Sequence, residues 1–195
     1  MRKRFGPLGY GLAFLFVLCA FKGSVSMSAA QEANVDPKIV QQSAPFTVVG
    51  IAGRTTNAKE MTADGIIGKF WGRLFQENLL AQIREKADGN IVAIYTEYAS
   101  DHNGEYTYIL GAKVKAADHV PPGMAVKTIP AGKYAVFTTD QGPAYQVVPR
   151  AWRKINSLSK SVSGGDRRYG ADYEIYDERA RDPQNSVVDV YVGIK

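Results

Sequence analysis

The segment Tyr173-Glu174-Ile175-Tyr176 sets a carboxylate among aromatic and aliphatic neighbours. Strand alternation puts Glu174 and Tyr176 on one face and Tyr173 and Ile175 on the other. A carboxylate on an inward face is costly unless it is paired, so either this face meets solvent or Glu174 has a partner. Either an arginine of the chain or a cationic ligand would serve. Tyrosine rings favour the ligand, because their faces attract cations while the carboxylate neutralises them. Tyr95, Tyr98, Tyr106, Tyr108, Tyr173, Tyr176 and Tyr191 all fall on predicted strands. Tyrosine also favours sheets for packing alone, so each ring by itself has a purely structural role open to it. Together with the acid they describe a site for flat or cationic organic molecules.

Other chemistries find little support. There is no G-x-S-x-G elbow, no Walker loop and no dinucleotide fingerprint. The single cysteine, Cys19, lies close to the N-terminus, and His102 and His119 stand 17 residues apart in or near loops, where they read as solvated. No metal and no cofactor is expected. If the chain were an enzyme, Glu174 would be its base, with Tyr176 or Tyr95 as hydrogen-bond donor. A hydrolase of small electrophilic compounds is therefore the alternative to a non-enzymatic binding protein.

The elements that must position these residues follow from periodicity. Phe46 to Thr56 is rich in β-branched residues and predicts a strand. Ile67, Trp71, Leu74, Phe75, Leu79 and Ile83 form one apolar stripe, an amphipathic helix ending near Ala87. Two strands follow, Ile91 to Tyr98 and Tyr106 to Val114, joined by a loop containing Asn103-Gly104. After Pro121-Pro122-Gly123, Met124 to Ile129 and Lys133 to Thr139 read as one bent or interrupted strand. A second helix carries Val148, Ala151, Trp152, Ile155 and Leu158, with Pro149 either delaying its start or kinking it. The last strands are Tyr173 to Asp177 and Val187 to Ile194.

The order β-α-β-β thus occurs twice. Trp71 precedes Tyr95 by 24 residues, and Trp152 precedes Tyr176 by 24. The repeat aligns Tyr176 with Tyr95 and Glu174 with Ala93, a small residue that leaves room opposite the acid. The fold class is α+β: duplicated β-α-β-β halves with pseudo-twofold symmetry, antiparallel sheets around a central cleft, and helices outside. Each tryptophan is expected to pack on its own half's sheet. The cleft would hold the ligand, with Glu174, Tyr95 and Tyr176 at its base and Tyr108, Trp71 and Tyr191 as further lining.

The N-terminus has a different character. Arg2, Lys3 and Arg4 precede an apolar run from Leu12 to Phe21, and Ser28-Ala29-Ala30 offers small residues before Gln31. This is the pattern of a cleaved secretory signal over residues 1–30, and the run is too short to span a bilayer comfortably. Residues 31–44 lack a periodic apolar face and read as a flexible segment, leaving a domain over 45–195. The signal carries four of the basic residues and no acid, so the rest holds 20 basic and 19 acidic residues. With no basic stripe remaining, no nucleic-acid partner is expected. Nor is stable membrane insertion after processing. The expected location is the periplasm or the exterior.

The blocks Pro45 to Ile51, Ile94 to Tyr98, Gly104 to Ala112, Ile129 to Phe137 and Tyr169 to Asp177 occur in an order that resembles the gyrase-inhibitor-like superfamily. These are the effector-binding domains of bacterial multidrug-responsive transcription activators and their stand-alone relatives. The resemblance implies two β-α-β-β halves, a central cleft for hydrophobic and often cationic small molecules, and a ligand-facing glutamate at Glu174. With the leader and no helix-turn-helix pattern, the expectation is an exported stand-alone member that binds a small hydrophobic, aromatic or cationic molecule. An envelope protein-interaction domain is a further alternative.

Overall fold

The computed structural model describes residues 37–158 and 164–195. Strand β1 (Lys38–Gln42) leads into β2 (Phe46–Thr55), followed by short helix α1 (Asn57–Glu60), α2 (Ile67–Gln76) and short α3 (Leu79–Gln82). Strands β3 (Ile91–Thr96), β4 (Tyr106–Val114), β5 (Ala125–Ile129) and β6 (Gly132–Thr138) come next, then α4 (Ala144–Ser157), β7 (Ala171–Tyr176) and β8 (Asp189–Ile194). The helix expected to run to Ala87 stops early because Asn78 turns left-handed at φ 48° and restarts the chain as α3. Helix α4 continues through Pro149. The interrupted strand proves to be β5 and β6, which lie far apart in the sheet.

All these strands join one antiparallel sheet in the order β1-β6-β8-β7-β3-β4-β2-β5. Its inner six strands read first, third, second of one half, mirrored by second, third, first of the other. A pseudo-twofold axis therefore passes between β3 and β7. The leading strands are exchanged: β1 precedes β2 but pairs with β6, while β5 precedes β6 but pairs with β2. The α+β class and the doubled order agree with expectation. Two details differ. Pairing from Ile91↔Tyr176 to Thr96↔Ala171 merges the halves into one sheet, and α2 and α4 stand on the cleft side of it.

The reason lies on the opposite face. There Val48, Ile94, Ile129, Tyr134 and Tyr173 form a closed cluster, with Phe46 and Tyr191 packed against it. Phe46 of β2 meets Tyr173 of β7 edge-on at 5.3 Å, although these strands are not neighbours in the sheet. The sheet is curled enough to fill that side with its own side chains, so only the helix side can be open. Close strand approach shows at Gly50↔Gly111 of β2 and β4, where a Cβ on either residue would overlap the other strand's backbone.

Residues 31–44 were expected to be a flexible segment, yet Lys38–Gln42 forms β1, with Ile39 opposite Ala135. An edge strand pairs on one side only, so it needs no strong apolar pattern of its own. The expected signal, residues 1–30, lies outside the described residues. Among the described residues no helix is long and apolar enough to cross a membrane.

Candidate functional site

Alternation along β7 carries Glu174 to the cleft face, and the β3–β7 ladder sets it opposite Ala93, as the repeat predicts. Glu174 is 1% exposed. Its Oε1 accepts from the Tyr95 hydroxyl at 2.8 Å and the Trp152 indole N–H at 2.5 Å, and its Oε2 accepts from the Tyr176 hydroxyl at 2.8 Å. Burial pushes its pKa up, and the three donors pull it partly back. Burial, then the charge of Glu174, raises both tyrosines well above their ordinary value, so they stay protonated as donors. No cation pairs with Glu174 among the described residues.

The two helices supply the walls. Trp71 on α2 meets Tyr176 edge-on at 4.7 Å, and Trp152 on α4 meets Tyr95 at 4.8 Å. Each indole packs on its own half as expected, Trp71 against the cluster of Tyr106, Tyr108 and Leu110 and Trp152 against that of Phe137, Ile155 and Val192, and each also reaches across the pseudo-axis to the other half's tyrosine. The crossing follows from the single sheet: with β3 and β7 adjacent, both helices lean over one shared floor. The pair of tryptophan–tyrosine contacts is nearly symmetric, and the acid breaks the symmetry because its counterpart is Ala93.

Two further expected residues lie apart. Tyr108, fully buried, sits beneath Tyr95 at 5.2 Å. Its hydroxyl lies near Trp71 without a hydrogen bond of ordinary geometry, so it supports the floor and does not face the cleft. Tyr191 is on the opposite face, stacked on Tyr173 at 4.5 Å, because the ladder pairs it with Tyr173 rather than with Glu174. It is removed from the candidate lining.

A second buried carboxylate was not foreseen. Asp172 shares the Glu174 face of β7 and is wholly buried. Its Oδ2 accepts from Arg167 at 2.5 Å and the Tyr98 hydroxyl at 2.9 Å, and its Oδ1 from the Gly193 N–H at 2.8 Å. The Arg167 guanidinium also lies over Tyr169 at 4.4 Å and beside Trp152 at 5.8 Å. The signal for Asp172 was its spacing, two residues before Glu174 and four before Tyr176.

The cleft above these residues has a volume of about 1400 Å³, beyond the usual range for drug-sized ligands of roughly 300–1,000 Å³. Trp71, Tyr95, Trp152 and Tyr176 line it, with Gly68 and Phe75 on the α2 side. Among the described residues no cluster of His, Cys, Asp and Glu could hold a metal ion.

A doubled β-α-β-β sheet with an acid beneath an aromatic cleft is the architecture of an effector-binding domain. The profile of the family described as "Cass2: Integron-associated effector binding protein" matches residues 38–194, and the chain belongs to that family. It is 34% identical over 147 residues to YobU of Bacillus subtilis, assigned as a transcriptional regulator, covering 75% of this chain and 90% of YobU. It is 34% identical over 163 residues to the transcriptional regulator BrlR of Pseudomonas aeruginosa, covering 83% of this chain but 56% of BrlR. In fold it matches SAV2435, whose structure is described as bound to tetraphenylphosphonium, with TM-score 0.66, 20% identity and coverage of 83% of this chain and 94% of that one.

These relatives overturn several expectations. Regulators of transcription act where the DNA is, which contradicts an exported family member, a periplasmic or secreted location, a function outside the cytoplasm and the lack of a nucleic-acid partner. The envelope-interaction alternative falls with the location. The export expectation rested on the pattern of residues 1–30 alone, and the absence of a nucleic-acid partner on the near-neutral charge, the lack of a basic stripe and helix-turn-helix pattern, and that same leader. Neither reports what the domain over 38–194 works with.

Proposed function

We propose that this domain binds a lipophilic organic cation in the cleft between α2 and α4, as the effector-sensing part of a transcriptional control system. The observation that carries the proposal is Glu174: a buried carboxylate held by three neutral donors, with no cation beside it among the described residues. A cation entering the cleft would meet that charge where water screens it little. The rings of Trp71, Tyr95, Trp152 and Tyr176 would add attraction at their faces. The tetraphenylphosphonium of SAV2435 is a molecule of this class. Nucleic acid would be the downstream partner, as the names of YobU and BrlR suggest. A non-enzymatic role fits better than hydrolysis, because the relatives YobU and BrlR carry names of transcriptional regulators and three donors already hold the Glu174 carboxylate in place.

The chain has two tryptophans, and both stand in the cleft, so their emission is a direct probe. Titration with tetraphenylphosphonium should change it saturably at one cation per domain, with neutral triphenylphosphine oxide binding at least tenfold more weakly. Equal affinity for the two, or no saturable change, would count against the proposal.

A further inference from the structure

Helix α2 carries two glycines, Gly68 and Gly72, within the ten residues Ile67–Gln76. Glycine in a helix interior is unfavourable relative to alanine, which applies to Gly72 in the middle of α2 more than to Gly68 in its first turn, and each position raises the question of what would be lost by a side chain. A Cβ added at either would meet no atom of the protein within 4 Å. Packing therefore explains neither. The two differ in what the open space is. Gly68 is exposed and lines the cleft on the same helix wall as Trp71 and Phe75, whereas Gly72 does not line it.

The side chains bordering that wall are equally unusual. Phe75 is 65% exposed and Met61, just before α2, is 87% exposed, and both face the cleft. Phe75 stacks on Trp71 at 6.1 Å and 27°, and Trp71 in turn contacts Tyr176, which donates to Glu174. An apolar surface thus continues from the buried acid to the mouth along α2, and bare helix backbone is presented at Gly68. One charged centre at Glu174 does not need this surface.

We infer that Gly68 is a specificity-determining position, where the α2 backbone accepts a second, flat apolar group of a multi-ring cation, beside Trp71 and Phe75. This deepens the proposed function and rests on it. The ligand class is then narrowed to cations bearing several rings, with the charge at Glu174 and a ring against Gly68. Any side chain at position 68 would fill the space that ring takes.

The test compares Gly68→Leu with Gly72→Leu, using tetraphenylphosphonium as the multi-ring probe and phenyltrimethylammonium as the one-ring probe. Gly72→Leu should raise the melting temperature by about 2–4 °C through helix propensity, and Gly68→Leu, in the first turn, by less. Gly68→Leu should weaken tetraphenylphosphonium at least tenfold and phenyltrimethylammonium less than twofold, while Gly72→Leu changes neither. Wild type that binds tetraphenylphosphonium, with Gly68→Leu binding it equally well, overturns the inference and leaves the cleft proposal standing. The same holds if Gly68→Leu weakens both probes alike, or if Gly72→Leu weakens tetraphenylphosphonium as much. Wild type that binds neither probe overturns both.

Discussion

Asp172 and Glu174 stand two residues apart on one face of β7, both buried and each accepting three hydrogen bonds. They differ in one respect. Asp172 has a resident cation, Arg167, itself set against Tyr169 and Trp152. Glu174 has rings and dipoles around it and no cation among the described residues. The Asp172 pocket is therefore a filled version of the Glu174 pocket, with a guanidinium among aromatic rings closing the charge. The difference teaches how this fold uses carboxylates: one fastens the β7 floor to the segment before it, and the other, on the proposed function, is left for a ligand to complete.

The comparison is broken most severely at Arg167. Arg167→Met should leave Asp172 buried without its cation and destabilise the domain by about 3–5 kcal/mol, the usual cost of removing one partner of a buried ion pair. Adding Asp172→Asn should recover much of that in urea unfolding, which distinguishes an uncompensated charge from lost packing. Trp152→Phe removes one donor to Glu174 but keeps a ring, and should cost about 1.5–3 kcal/mol as a hydrogen bond to a charged group. It should also raise the Glu174 pKa further, moving the acid limb of cation binding to higher pH in titrations across that range.

Protonation sharpens the contrast. Because the folded pKa of Glu174 is raised, the folded state holds a proton that the unfolded state releases. Its contribution to stability is present below the unfolded carboxylate pKa and is lost as pH rises through the raised value. Wild type should therefore lose stability relative to Glu174→Gln over that window, as read by urea unfolding at a series of pH values. Cation affinity should move the other way, rising as Glu174 ionises. The smallest effect is expected at Tyr191. Tyr191→Phe should leave cation affinity unchanged and stability within about 0.5 kcal/mol, since that ring lies on the far face.

Sequence alone made Glu174 legible because two local rules converge there: strand alternation, and the aligned repeat that sets Ala93 opposite. The tryptophans were legible as positions on apolar stripes that pack on their own halves, but their contacts across the axis were not, since those depend on β3 pairing with β7. Tyr191 went astray for the same reason. Which face a strand turns inward depends on its register with neighbours, and Tyr191 follows Tyr173 across the ladder. Arg167 was hidden in a polar loop, where the direction of a guanidinium has no periodic signature, and Asp172 was missed because the strand that begins at Ala171 was expected to begin at Tyr173. Strand β1 was missed because Lys38–Gln42 owes its structure to β6, a partner about ninety residues away. The expected export came from terminal residues whose pattern carries no information about the domain that follows.

The most direct test of Glu174 as an unfilled counter-charge is calorimetry with tetraphenylphosphonium and triphenylphosphine oxide on wild type and Glu174→Gln. The substitution keeps the shape and removes the charge. Cation binding should weaken by about 1–3 kcal/mol, the scale of hydrogen bonds to charged groups, while the neutral ligand changes by far less. Equal losses for both ligands, or none for the cation, would contradict the account and leave Glu174 a structural residue like Asp172.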